Sequence, residues 1–162
     1  MKKLLAILLT AALTLSLAAS AVAETPSIGI ALAETLGDRA FYDSAYAGIQ
    51  ALKADFGTEI YYQECKGDAS LYASALYDLA DEADYVAAVG WQFYDALSEI
   101  PQEYLGEDTR FIFIDNEHET IPENMMCVVY AQNEGSFLVG YIAAKLSVTG
   151  KIGVVGGQDT ET

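Results

Sequence analysis

Residues 27–33 read Ser-Ile-Gly-Ile-Ala-Leu-Ala, and the polar segment 34–40, Glu-Thr-Leu-Gly-Asp-Arg-Ala, follows them. The first stretch is short, apolar and nearly continuous, which is typical of a strand buried on both faces of a sheet. Apolar residues then recur at helical spacing, at Phe41, Ala45, Ile49, Leu52 and Phe56. Gly57 suits the end of that helix. This strand, loop and helix predict an α/β fold.

The same alternation continues along the chain. Further strands are predicted at residues 59–63, 85–89, 110–115, 126–130 and 151–156. Further helices are predicted at residues 71–83, 95–100 and 137–146. Alternating strands and helices predict a doubly wound parallel sheet with helices on both faces, for which 2-1-3-4-5 is a common strand order.

The charge of the chain excludes some classes of function. It carries 24 acidic and 8 basic side chains in 162 residues, a formal net charge of -16. A nucleic-acid-binding protein that contacts phosphates needs a basic face, and docking on an anionic membrane needs one too. Since 52% of the residues are hydrophobic, the chain is also unlike a disordered acidic tail.

The amino-terminal segment has the pattern of an export signal. Lys2 and Lys3 precede an apolar run over residues 4–19, and small residues stand at 21–23. This pattern predicts a signal peptide over residues 1–23 that is cleaved after Ala23. We therefore expect an exported protein, located in the periplasm or at the cell surface.

The residues that carry most enzyme chemistry are scarce. His118 is the only histidine and lies in a polar stretch, where an exposed loop is expected, so neither a catalytic triad nor a metal site is predicted. No cofactor fingerprint is found either. Cys65 follows the second predicted strand and Cys127 lies in the fifth. These strands form opposite edges of the predicted sheet, roughly 19 Å apart. A disulfide needs Cα atoms within about 7 Å, so two free thiols are expected.

Ligands of doubly wound sheets bind at the carboxyl ends of the strands, where the strand order reverses. For the order 2-1-3-4-5, the strand order reverses between the first and third strands. The nearby acidic and aromatic residues are the predicted ligand-binding set: Glu34, Asp38, Phe41, Tyr42, Trp91, Phe93 and Asp115. Such groups suit a small polar ligand with a flat ring or a sugar. The alternatives to ligand contact are that Phe41 is the first core residue of its helix and that Trp91 serves only in packing.

Three segments carry a resemblance to a known family. Residues 37–48, Gly-Asp-Arg-Ala-Phe-Tyr-Asp-Ser-Ala-Tyr-Ala-Gly, resemble the G-D-K-S-F-N-D-S-A-x-x-G segment of the basic membrane protein family. Residues 134–144 and 149–157 resemble its E-G-S-F-L-A-G-Y-L-A-A and T-K-T-G-K-I-G-V-V-G-G segments. The family consists of substrate-binding proteins of ABC transporters and includes purine-nucleoside receptors.

The resemblance implies the type I periplasmic-binding-protein fold, in which two α/β lobes joined by a hinge close over a ligand. Residues 24–131 would form the amino-terminal lobe. Residues 132–162 would form the hinge crossing and the start of a second, truncated lobe.

The resemblance also implies a function without catalysis, namely delivery of a nucleoside-like small molecule to an ABC transporter permease. Phe41 would stack on the base, and Asp115 would lie near the ribose hydroxyls. Tyr42 stands where the family has Asn, and Glu34 where it has Asp. Two alternatives are a ligand-sensing ectodomain that serves a membrane receptor or kinase, and a flavodoxin-like exported enzyme.

Overall fold

The computed structural model describes residues 25–156, so the predicted signal peptide lies outside the described residues. Its strands are β1 (Ile28–Leu32), β2 (Ile60–Glu64), β3 (Tyr85–Val89), β4 (Arg110–Ile114) and β5 (Met125–Val128). Its α-helices are α1 (Phe41–Phe56), α2 (Tyr72–Glu82), α3 (Tyr94–Glu103) and α4 (Gln132–Leu146). Short 3-10 turns at Ala69–Leu71 and Trp91–Phe93 precede α2 and α3.

The five strands form one parallel sheet in the order β2-β1-β3-β4-β5. Leu32 lies opposite both Glu64 and Val89, and Ile114 lies opposite Val89 and Val128. The last residues of all five strands therefore form one row. The predicted α/β class and strand order are confirmed.

Alternate strand residues pack into two separate clusters, one on each face of the sheet. The α1 face has as its buried residues Ile30, Leu32, Ile49, Ala87 and Val89. The other face carries the larger cluster, to which α2 and α3 contribute Leu76, Leu79, Leu97 and Ile100. Burial on both faces explains why the central strands read as continuous apolar runs.

Two contacts fix β1 within this arrangement. Gly29 lies against α2 so closely that a Cβ atom there would be 3.0 Å from two side-chain carbons of Leu79. At the amino edge of the sheet, Oδ2 of Asp84 accepts hydrogen bonds from the backbone N–H and the hydroxyl of Ser27, both at 2.7 Å. The first strand is therefore joined directly to the start of the third.

The cysteines lie where the sequence predicts. Cys65 follows β2 and Cys127 lies in β5, at opposite edges of the sheet, and both thiols are free. The prediction of two free thiols is confirmed. Cys65 is 1% exposed, and this burial raises the pKa of its thiol to about 11.

Three elements have a boundary that differs from the predicted one by more than one residue. Helix α3 continues past Pro101 to Glu103, and the side-chain amide of Asn124 donates to the carbonyl of Pro101 at 2.7 Å. Strand β5 begins and ends earlier, at Met125–Val128. Helix α4 begins at Gln132, five residues before the predicted start, with Glu134 in its first turn, where the helix dipole favours an acid.

The chain divides after Val128 into two compact units, and the second contains α4. The sixth strand predicted at residues 151–156 is wrong, because these residues have no regular secondary structure. A strand is stable only when a neighbour pairs with its backbone groups, and no described residue pairs with this one. None of the helices among residues 25–156 is long and apolar enough to cross a bilayer.

Candidate functional site

The candidate site lies at the carboxyl edge of the sheet, where backbone pairing continues one residue beyond the strands. The N–H of Ala33 donates to the carbonyl of Val89 at 3.2 Å, and the N–H of Gly90 donates to that of Ile114 at 3.1 Å. The N–H of Asp115 donates to the last carbonyl of β5 at 2.8 Å. The loops after β1, β3 and β4 therefore start from fixed, adjacent positions.

Tyr42 and Gln92 meet where the strand order reverses. The side-chain amide of Gln92 donates to the hydroxyl of Tyr42 at 3.4 Å, and Oε1 of the same amide is buried without a hydrogen-bond partner among the described residues. Both groups lie over Gly90, whose φ is 117°. A Cβ there would be 2.5 Å from Oε1 of Gln92 and 3.1 Å from the Tyr42 hydroxyl oxygen. A glycine is therefore required for this contact.

Glu34 lies partly buried in the loop after β1. Its carboxylate lies against the backbone of Gly67, where a Cβ would be 3.0 Å from Oε2. Burial raises the pKa of Tyr42. The hydrogen bond from Gln92 opposes this increase, and the charge of Glu34 adds to it. Burial also raises the pKa of Tyr72, and Glu34 again adds to the effect. Glu34 is thus close to two phenol rings at this edge.

Asp115 follows β4 with a left-handed backbone, at φ 83°. Its carboxyl is partly buried, and this burial raises its pKa. The loop after β4 therefore presents an oxygen-rich side chain at the edge that carries Tyr42 and Glu34.

Phe41 is the first residue of α1. Its half-buried ring packs against the α1-face cluster and lies edge-on to the Tyr42 ring, with centroids 5.2 Å apart and planes at 76°. The ring therefore has both a core side and an accessible side. Core packing and ligand contact, the two alternatives from the sequence, are compatible at this position.

The turn after β3 separates two predicted site residues. Trp91 is 44% exposed at the carboxyl edge and is available to a ligand. Phe93 is completely buried in the large cluster, with its ring centroid 5.0 Å from that of Tyr72. The prediction that Phe93 contacts a ligand is therefore wrong. The two residues lie on opposite sides of one 3-10 turn, which positions Phe93 as a core residue at the start of α3.

Asp38 has most of its acceptor capacity occupied by the protein. Its carboxylate accepts hydrogen bonds from the backbone N–H groups of Ala40, Tyr42 and Asp43 at 2.9, 3.0 and 3.1 Å. These bonds, that of Ala40 foremost, lower the pKa of Asp38. The carboxylate thus caps the start of α1.

Sequence reasoning missed His118. It is partly buried, in contrast to the exposed loop position expected, and its ring centroid lies 4.1 Å from that of Tyr94 and 5.5 Å from that of Phe113. Burial lowers its pKa, while the charge of Asp95 partly opposes this effect. A single histidine in a polar stretch has no periodicity, so no sequence signal could have placed it.

Sequence reasoning also left Gln92 and Tyr72 out of the site. Gln92 stands in the same turn as Trp91, so its loop position was a usable signal. Tyr72 begins α2 and gave no such signal. With them, the edge offers carboxylates, phenols, an amide and aromatic faces. These groups accept hydrogen bonds and stack on rings. Among residues 25–156 no group of three His, Cys, Asp or Glu side chains is placed to hold a metal ion.

Comparison with known proteins assigns the family. Residues 25–162 match the family model Bmp, described as ABC transporter substrate-binding protein PnrA-like. The chain is 34% identical over 141 residues to basic membrane protein A of Borreliella burgdorferi, covering 85% of this chain and 40% of that protein. It is 35% identical over 130 residues to basic membrane protein B of the same species, covering 76% and 38%. It thus spans about two fifths of the length of these relatives.

Solved structures support the fold. An ABC transporter solute-binding protein from Aeropyrum pernix K1 superimposes with a TM-score of 0.67 at 22% identity, over 74% of this chain and 32% of that one. At this identity the likeness concerns the fold alone. With the family model matched over all described residues, the chain belongs to the Bmp family of PnrA-like ABC transporter substrate-binding proteins.

Proposed function

We propose that the full-length protein is an extracytoplasmic solute-binding protein that delivers a nucleoside-like small molecule to an ABC transporter permease. The observation that carries the proposal is the meeting of aromatic faces and hydrogen-bond acceptors where the strand order reverses. Phe41 and Trp91 have accessible ring surface at this edge. Glu34 and Asp115, which follow β1 and β4, contribute partly buried carboxylate oxygens at the same edge.

The chemistry of these groups suggests the class of ligand. An aromatic face binds a flat heterocycle by stacking, and carboxylates accept hydrogen bonds from hydroxyl or amino groups. A nucleoside carries both kinds of group. A phosphorylated ligand is disfavoured, since Glu34 and Asp115 would lie close to its negative charge. Glu34, Asp38, Phe41, Tyr42, Trp91 and Asp115 remain the proposed site, Asp38 through the backbone that it holds.

Membership of the family supports the remaining parts of the proposal. A substrate-binding protein of an ABC transporter presents its ligand to a permease in the membrane. This requires a location outside the cytoplasm, in the periplasm or at the cell surface. The signal peptide proposed for residues 1–23, with cleavage after Ala23, would direct the chain there.

The decisive experiment identifies the ligand that co-purifies with the full-length protein. The protein is purified without added ligand and denatured, and the released small molecules are identified by mass spectrometry. Calorimetry then compares purine nucleosides with their 5′-monophosphates. We expect a released nucleoside, and binding of nucleosides but not of monophosphates. Release of an unrelated solute, with no heat from any nucleoside, would refute the ligand class.

A further inference from the structure

The segment from Gly37 to Asp43 is held by two carboxylates that bond in opposite directions along the chain. Asp38 accepts from three backbone N–H groups that follow it, up to that of Asp43. Asp43 accepts from two that precede it, Gly37 at 2.7 Å and Arg39 at 2.8 Å. All four carboxylate oxygens are used. We call this arrangement of Asp38 and Asp43 the carboxylate pair.

The pair answers a local need of the backbone. The first turn of a helix leaves N–H groups without partners, and Ala40, which precedes α1, has no side chain that could cap them. Asp38 supplies the cap from two residues earlier. Upstream, Gly37 and Arg39 have φ values of 106° and 54°, in the left-handed region. This conformation is unfavourable only at Arg39, because glycine adopts it freely, and the bonds to Asp43 hold the stretch in it.

The residues inside the pair are the ones that face the candidate site. Phe41 and Tyr42 lie between the two carboxylates in the chain, and the N–H of Tyr42 is itself bonded to Asp38. The hydroxyl of Tyr42 reaches Gln92 at the other side of the strand reversal. Since the backbone of the first helical turn restricts the directions that its side chains can take, the pair restricts where both rings can point.

We propose that Asp38 and Asp43 are positioning residues, which set the Phe41 and Tyr42 rings for the ligand and do not contact it. This proposal rests on the proposed function for its effect on affinity. It changes the role assigned to Asp38 and adds Asp43, which the site prediction did not include. A substitution at either residue that keeps the side-chain volume should therefore first weaken the hydrogen bonds of particular backbone amides. Ligand binding should weaken as a consequence.

The test uses Asp43→Asn and Asp38→Asn in the full-length protein, with Asp55→Asn as the matched control in the last turn of the same helix. In Asp43→Asn an NH₂ group replaces one acceptor oxygen and faces a backbone N–H. We expect amide exchange, followed by NMR, to accelerate by about tenfold or more at Gly37 and Arg39. Asp38→Asn should instead accelerate exchange at its own three amides, and the control at none.

Two further measurements separate positioning from a local structural role. The first is the set of nuclear Overhauser contacts between the Phe41 and Tyr42 rings, which needs no ligand. The second is the Kd for a purine nucleoside such as inosine. We expect the ring contacts to weaken and the Kd to rise about tenfold in Asp43→Asn, with neither changed in Asp55→Asn.

Each outcome decides the matter. Faster exchange with unchanged ring contacts overturns the positioning role, and so does faster exchange with an unchanged Kd. Unchanged exchange overturns the carboxylate pair itself. If the unaltered protein binds no nucleoside, the proposed function fails, and the ring contacts alone then support or overturn the positioning of Phe41 and Tyr42.

Discussion

Replacing Phe41 with alanine in the full-length protein separates the two sides of its ring. One side packs against the α1-face cluster, and the other is accessible at the carboxyl edge. Loss of an aromatic ring that stacks on a base costs about 1–3 kcal/mol by alanine substitution. The Kd for a purine nucleoside should therefore rise by about 5- to 150-fold.

The same substitution also affects folding. Truncating a fully buried phenylalanine costs about 3–5 kcal/mol of unfolding free energy. Because the Phe41 ring is only partly buried, we expect less than that full cost, about 2 kcal/mol. Phe41→Trp keeps a stacking face and should retain most of the affinity. Calorimetry gives the Kd and urea denaturation gives the unfolding free energy.

Phe56→Ala is the control, because Phe56 ends the same helix and is 66% exposed. It should change neither quantity appreciably. An unchanged nucleoside Kd in Phe41→Ala, together with a loss of 3 kcal/mol or more on the scale of a buried phenylalanine, would refute the stacking role. Phe41 would then be a core residue, and the site would lie elsewhere.

Three further predictions concern the fold. Gly29→Ala should lower the free energy of unfolding by about 1–3 kcal/mol, because the added methyl group overpacks against α2. Gly48→Ala, in open space within α1, should be neutral or stabilising, and equal urea midpoints for the two variants would contradict this prediction. Cys65 should be alkylated about a hundredfold more slowly than in the unfolded chain, because its thiol is buried with a pKa of about 11. The partly exposed Cys127 should react first, and equal alkylation rates of the two thiols by mass spectrometry would exclude this packing. The pKa of His118, the only histidine, should lie below 6.5 when followed by NMR, since burial favours the neutral ring. As the pH falls below about 6.5, the unfolded chain binds the proton before the folded chain does, and the stability that this residue contributes is lost. A pKa of about 6.5 would place the ring in solvent, and a higher pKa would place it beside a stronger negative charge.

The sheet and its helices were predictable because burial imposes a period on the sequence. Helix α1 matches the predicted range at both ends, since Phe41 opens its apolar series and Gly57 adopts the left-handed conformation that ends it. The strand order also followed, because doubly wound sheets have few common orders. The strand predicted at residues 151–156 was wrong, since an apolar run alone does not supply a pairing partner.

The site was less predictable, because loops and short turns have no period. Phe93 was assigned to the ligand from its place in the turn after β3, yet a single 3-10 turn separates its buried ring from the exposed ring of Trp91. The roles of Asp38 and Asp43 depend on which backbone N–H groups lie within hydrogen-bond distance. Composition and spacing do not contain that information.

The strand order also constrains when the chain can fold. Strand β1 comes first in the sequence but lies between β2 and β3, and Ser27 at its start is bonded to Asp84, 57 positions later. A ribosome makes about 5–20 residues per second, so several seconds pass before β1 has both neighbours. Contacts this distant in the chain also form slowly. Strand β1 and helix α1 should therefore remain unfolded during early synthesis, which is the state that the proposed export through a translocation channel would require.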